Sequence, residues 1–189
     1  MTQTSAAAAF SLFASGRSCE GCTLCCTLLG VGALGKPRNV ACAHCAEGAG
    51  CGIYETRPLE CAQFICTWLY AANVGAHWRP ADSGLMLHFD RDVNRMEIHV
   101  DPARPGGWRA EPFHSEMRAW AAAAVPSHGQ VIVWEGEELT AILPDRDKPL
   151  GTMRDDQLLV GYERDTEDGG VFYDIIIMDK DDPRLAPPD

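Results

Sequence analysis

The sequence predicts an α+β protein, an irregular N-terminal cysteine-cluster metal module packed on an antiparallel sheet with one main helix. Three observations carry that expectation. All nine cysteines lie between Cys19 and Cys66, and none follows in the rest of the 189 residues. From Gly84 onward, short apolar runs with period-two alternation are separated by turn residues, which is the pattern of half-buried strands. A single stretch, Pro112 to Val125, repeats Phe113, Met117, Trp120, Ala121 and Ala124 at helical spacing.

The elements follow in chain order. Residues 1–18 read as a flexible lead-in, 19–78 as the cysteine-cluster module, 79–180 as the α+β body and 181–189 as an acidic, Pro-rich tail that frays. The cysteine region has glycines at 21, 30, 32, 35, 48, 50 and 52 and no sustained periodicity, as expected of loops held by a site. One helix is expected near its end, capped by Thr56, with Pro58 in the first turn and Glu60 favouring the dipole. Leu59, Phe64, Trp68 and Leu69 would supply its apolar contacts. Leu85–Phe89 and Arg95–Val100 form a hairpin through Asp90–Asn94. Met96, Ile98 and Val100 share one face, and Arg95, Glu97 and His99 the other. After the helix, Pro126-Ser127-His128-Gly129 is a stop signal. Gln130–Trp134 with Glu138–Leu143, and Gln157–Tyr162 with Val171–Met178, are two further hairpins. Trp78, Trp108, Trp120 and Trp134 build or edge the core.

Charge is unevenly distributed. The net charge is −11, yet residues 1–80 hold 5 Lys/Arg against 4 Asp/Glu, and residues 81–189 hold 11 against 23. An acidic body disfavours nucleic acid and anionic membrane as partners. No run approaches the roughly 20 apolar residues of a membrane span. The apolar stretch Ala6–Phe13 has no basic residue before it, so an export signal is not expected, and the cysteines are read against a reducing cytoplasm. In that setting clustered thiols read as ligands rather than as a disulfide framework, and an odd count fits closed pairs poorly.

The spacing points the same way. Cys19-x2-Cys22-x2-Cys25-Cys26 lets tight turns aim successive sulfurs at one centre. Cys42-x2-Cys45, Cys51, Cys61 and Cys66 follow, with His44 inside the second pair as a loop side chain. Adjacent Cys25 and Cys26 diverge by about 100° on a helix, and Cys61 and Cys66 by about 140°. Nine thiols so arranged exceed one four-ligand ion. Two centres, or one polynuclear cluster with the helix broken near Phe64 or Ile65, fit better. His88, His99 and His114 are scattered through the body and read as structural. No Gly-rich phosphate loop, Gly-x-Ser-x-Gly or His-Glu-x-x-His is present.

The stretch from Ser18 to Tyr70 resembles the zinc- or iron-chelating CxxCxxCC domain, the YkgJ-type cysteine-cluster family. The matching residues are Cys19, Cys22, Cys25 and Cys26, then Cys42, then Cys51 within Gly50-Cys51-Gly-Ile-Tyr54-Glu-Thr-Arg57-Pro58, then Cys61, Phe64, Cys66 and Trp68. The resemblance covers about a quarter of the chain and implies a metal site for zinc or iron, with Cys19, Cys22, Cys25, Cys26, Cys42, Cys51, Cys61 and Cys66 as ligands. Eight cysteines are usual in that family. Cys45, the position least tied to the motif, reads as the ninth. Arg57 reads either as a thiolate-neutralising group or as a solvated helix-start residue. Flagellin lysine methylases carry a similar cluster, which keeps an iron–sulfur enzyme or electron carrier open as the alternative to a structural metal site. Metal delivery or storage is a third reading. Beyond the metal, the body is expected to meet a protein partner or a small ligand.

Overall fold

The computed structural model describes Ala14 and residues 16–19, 21–46, 48–167, 169 and 171–185, and the architecture is α+β. The N-terminal segment contains α1 (Leu24–Leu28), the two-residue strands β1 (Cys45–Ala46) and β2 (Gly50–Cys51), α2 (Leu59–Gln63) and α3 (Thr67–Tyr70). A short α4 (Pro80–Ser83) leads into β3 (Leu85–Asp90) and β4 (Arg95–Val100). The main helix α5 (Phe113–Ala124) precedes β5 (Gln130–Glu135), β6 (Glu138–Ile142), β7 (Asp147–Thr152), β8 (Gln157–Asp165) and β9 (Val171–Asp179). No helix among the described residues is long and apolar enough to cross a membrane.

Strands β3 to β7 form one sheet in sequence order. It is antiparallel except between β4 and β5, which run parallel because α5 carries the chain back across the sheet. Strand β7 has no counterpart in the sequence reading. Its Pro149 and Gly151 argue against a strand, but at an edge proline loses no ladder bond, and a register shift at Leu139/Thr140 absorbs the irregularity. His114 and Arg118 of α5 fix its start through Asp147, at 2.9 and 3.0 Å. His114 therefore has the structural role expected of it. The last hairpin, β8–β9, is a separate two-stranded sheet, longer than its apolar pattern suggests.

Alternation along the strands gives the main sheet two buried faces. On one, Leu85, Leu87, Ile98, Val100, Val131 and Val133 meet Met117 and Ala121 of α5, together with Trp68, Leu69, Val74, Trp78 and Trp108. On the other, Ile132, Leu139 and Ala141 meet Leu159, Tyr173 and Ile175 of β8–β9. Another part of that second face is covered by the N-terminal segment, where Leu24 and Leu28 of α1 pack on Met86. The sheet is thus sandwiched, and the cysteine-bearing segment contributes to both of its faces.

The single helix expected near Thr56–Leu69 is instead broken. Tyr54–Thr56 is a 3-10 turn, Pro58 stands just before α2, and the chain extends at Phe64 before α3 begins. Leu59 is 69% exposed, whereas Trp68 and Leu69 are buried. Most of the expected lead-in, and residues 186–189 of the tail, lie outside the described residues. Near the end of the lead-in, Ala14 N–H donates to Leu69 O at 2.7 Å. The Arg17 guanidinium donates to the carbonyls of Trp68, Ala71 and Val74, closing the C-terminal end of α3.

A boundary at Arg79 passes through the first core. Trp68, Leu69, Val74 and Trp78 fall on one side of it, and the strands they cover on the other. A chain beginning at Arg79 loses two buried tryptophans from a close-packed face. Its expected product is insoluble or melts without a cooperative transition, and a sharp calorimetric transition would show that the sheet and α5 suffice.

The β8–β9 hairpin is tied to the main sheet through Asp174 of β9 and Lys148 of β7. Burial raises the Asp174 carboxyl, but Lys148 Nζ at 2.7 Å, Ile175 N–H at 2.9 Å and Tyr162 O–H at 3.1 Å together bring it below its ordinary 3.8. A carboxyl depressed in the folded state stabilises above its unfolded value and ceases to do so as pH falls through the folded one. Asp174→Asn should lower Tm at pH 7, with the gap to the parent narrowing toward pH 3. A gap that stays constant over that range would show that the effect is packing rather than charge.

Candidate metal centre

All nine cysteines are free thiols. Glycines with positive φ make their local turns. Gly21, at φ +70°, lets Cys22 N–H reach Cys19 O at 3.0 Å. Gly48 and Gly50, at φ +71° and +83°, close the β1–β2 turn, whose register sets Cys45 directly opposite Cys51. Cys42 N–H donates to Cys26 O at 3.0 Å, fastening this turn to α1.

The thiols divide into two neighbouring groups. Cys19, Cys22, Cys25 and Cys66 line one small cleft walled by Trp68, Leu69 and Met86. Cys26, Cys42, Cys45, Cys51 and Cys61 form the second group, all half-buried, in which Cys45 and Cys61 are each raised by the neighbouring Cys26, Cys42 and Cys51. Cys25 and Cys26, adjacent on α1, supply one thiol to each group and remain hydrogen-bonded to one another, so the groups adjoin there. Cys61 on α2 and Cys66 at the head of α3 also serve different groups, across the break at Phe64. Cys45 sits within the second group alongside the motif cysteines. His44 is exposed, and its carbonyl accepts from Gly52 N–H at 2.8 Å.

Burial sets the electrostatics. It pushes the Cys66 thiol up to about 11, against hydrogen bonds from the Trp68 and Leu87 backbone N–H groups that favour the thiolate. It likewise pushes Cys45 to about 11, helped by the charge of Cys26. Cys61 is raised by burial and then by Cys26, Cys42 and Cys51. Cys26 rises furthest, through its hydrogen bond with Cys25 and then burial. Cys19 is raised by burial and by Cys22, with Arg57 opposing. Arg57 also lies over the Tyr54 ring at 3.8 Å and donates to Tyr54 O, so it serves both its turn and the cluster.

The sequence reading passed over Lys36. Its side chain is buried against the thiols, and its Nζ donates to the carbonyls of Thr27, Leu29 and Pro37, at 3.1 Å to the first and 3.0 Å to the last. Burial lowers its own pKa, and the nearby Cys42, Cys26, Cys25 and Cys61 hold it up. A lone lysine in a loop has no pattern that would reveal this.

The donor chemistry fits a soft or borderline metal, since clustered thiols with a compensating cation suit zinc or iron. The spacing is open. Sulfurs around one zinc stand about 3.8 Å apart, and among the described residues no three thiols have all their sulfurs within 4.8 Å. One trio does meet that limit, His88, Glu97 and His99. Glu97 Oε2 lies 3.3 Å from His88 Nδ1 and 3.4 Å from His99 Nε2. Burial would raise the Glu97 carboxyl, but these two imidazoles and Arg95 hold it well below the usual carboxylate range. His88 is raised by its hydrogen bond with Glu97, whereas burial lowers His99. The signal for this trio was present in the alternation of β4 and in the hairpin register, which together bring the residues onto one face.

Searches against protein-family models, characterised proteins and solved structures found no match for this chain.

Lys36→Met removes three hydrogen bonds from a buried ammonium and leaves three carbonyls to find other partners. The expected loss is about 2 kcal/mol, read as a lower midpoint in urea unfolding. An unchanged midpoint would show that the carbonyls are satisfied without it.

Proposed function

We propose that the chain is a metal-binding protein whose thiols hold two adjacent zinc or iron centres. The first centre takes Cys19, Cys22, Cys25 and Cys66, and the second draws on Cys26, Cys42, Cys45, Cys51 and Cys61. The observation that carries this reading is the division of nine free thiols into two groups that meet at Cys25–Cys26. The YkgJ-type resemblance of residues 18–70 supports it. Zinc is the first choice, because four thiolates make a closed structural site. The open spacing of the sulfurs means that metal would draw them together, so binding energy becomes folding energy, about 10–16 kcal/mol in small zinc modules.

The role that follows is structural. Cys66 sits where the N-terminal segment meets β3, so a metal held there ties loop-rich chain to the sheet. The second group would brace the β1–β2 turn against α1 and α2. Lys36 and Arg57 offset part of the thiolate charge, and the Leu87 and Trp68 N–H groups donate to the Cys66 sulfur.

The test is metal stoichiometry on protein purified without oxygen. Two zinc ions per chain are expected. Cys66→Ser should remove one, and the paired variant Cys42→Ser/Cys51→Ser, which leaves three thiols in the second group, the other. A brown protein absorbing near 400 nm, with iron and sulfide in place of zinc, would favour the iron–sulfur enzyme or carrier. Metal-free protein, or one ion indifferent to both variants, would sink the two-centre reading.

A further inference from the structure

The trio His88, Glu97 and His99 lies on the second face of the sheet, beside α1 and α2 but sharing no residue with the thiol groups. Strand pairing sets it. His88 of β3 stands opposite Glu97 of β4, and His99 follows two residues along the same face. Ligand bonds of about 2.1 Å place neighbouring ligand atoms about 3.0–3.4 Å apart around one ion. The separations from Glu97 Oε2, 3.3 and 3.4 Å, fall within or at the edge of that range, and all three donor atoms lie within 4.8 Å of one another. The sulfurs of the thiol groups do not have this arrangement.

The surroundings hold the donors in place. Arg95 Nη1 lies 3.6 Å from Glu97 Oε1, which leaves Oε2 to both imidazoles. The His99 ring stacks on Trp134 with an interplanar angle of 14°, and Arg38 lies over the same indole. Phe64 packs against His88 at 5.5 Å between ring centroids. The three side chains are 36%, 14% and 7% exposed in the order His88, Glu97, His99, so the trio opens to solvent on the His88 side alone. Donors on paired strands, locked by packing, are preorganised in a way that loop donors are not.

We propose that His88, Glu97 and His99 form a second kind of metal site, for a borderline divalent ion such as Fe(II), Co(II) or Zn(II). Two imidazoles and a carboxylate suit these ions, and three protein donors leave coordination positions for water or a small ligand. This site stands or falls independently of the thiol reading.

The test uses the full chain and Co(II), whose thiolate complexes show sulfur-to-cobalt charge-transfer bands that nitrogen and oxygen sites lack. Binding is followed by equilibrium dialysis and absorption. Parent protein should hold one Co(II) without sulfur bands, beyond any thiol-bound fraction. His88→Gln and Glu97→Gln should each weaken that ion by more than about tenfold, while Cys42→Ser/Cys51→Ser leaves it in place. His88 is the most exposed of the three, so His88→Gln is the deciding variant if Glu97→Gln fails to fold. A folded His88→Gln protein that keeps the ion would overturn the proposal. Absence of any Co(II) free of sulfur bands would show that the trio is only a hydrogen-bonded charge cluster.

Discussion

The outer edge of β3 is the constraint to which the rest of the molecule answers. An edge strand leaves alternate N–H groups without a ladder partner, and a buried edge must satisfy them from elsewhere. Here Leu87 N–H donates to the Cys66 sulfur, and Phe89 N–H to Thr67 Oγ1 at 2.8 Å. Two consecutive residues at the head of α3 therefore close the sheet. The same contact seats Trp68 and Leu69 on the first face of the sheet and places Cys66 in the cleft with Cys19, Cys22 and Cys25.

The partly desolvated thiols and the buried cation have one physical origin. The loop-rich chain before α3 has little apolar area to bury, so it relies on Leu24 and Leu28 against Met86 and on polar ties such as Arg17 and Lys36. These ties hold the thiols in a partly desolvated space, although no three sulfurs come within 4.8 Å of one another among the described residues. Burial raises the thiols of Cys19, Cys45, Cys61 and Cys66, and the Cys25 hydrogen bond with burial raises that of Cys26, which favours the protonated form. Replacing those protons with a metal would resolve the strain between burial and charge, which is why the proposed centres and the fold are one problem rather than two. The trio beneath is the contrary case, with donors positioned by regular strands.

Much of the body was legible because its signals are local. The β3–β4 hairpin, α5 and the β5–β6 hairpin follow from alternation, helical spacing and turn residues within short windows. Strand β7 was not, because Pro149 and Gly151 are acceptable only at an edge, and edge position is a property of the sheet. The parallel β4–β5 pair was missed for a related reason. A strand's own residues carry no record of its neighbour's direction. In the candidate site, the divergence of Cys25 from Cys26 was readable from helix geometry, whereas a break between Cys61 and Cys66 was expected only if the two shared one centre. The place of Cys45 was not, since it depends on its pairing with Cys51.

The amino-acid sequence by itself determined the α+β class, the concentration of thiols before residue 67 and the two faces of β4, because side-chain periodicity and spacing are properties of neighbouring residues. Only the tertiary structure decided which thiols share a group, that Lys36 stands among them, and that His88, Glu97 and His99 converge. Those outcomes rest on contacts between residues distant in sequence or in separate strands, where register and burial rather than local pattern choose the partner.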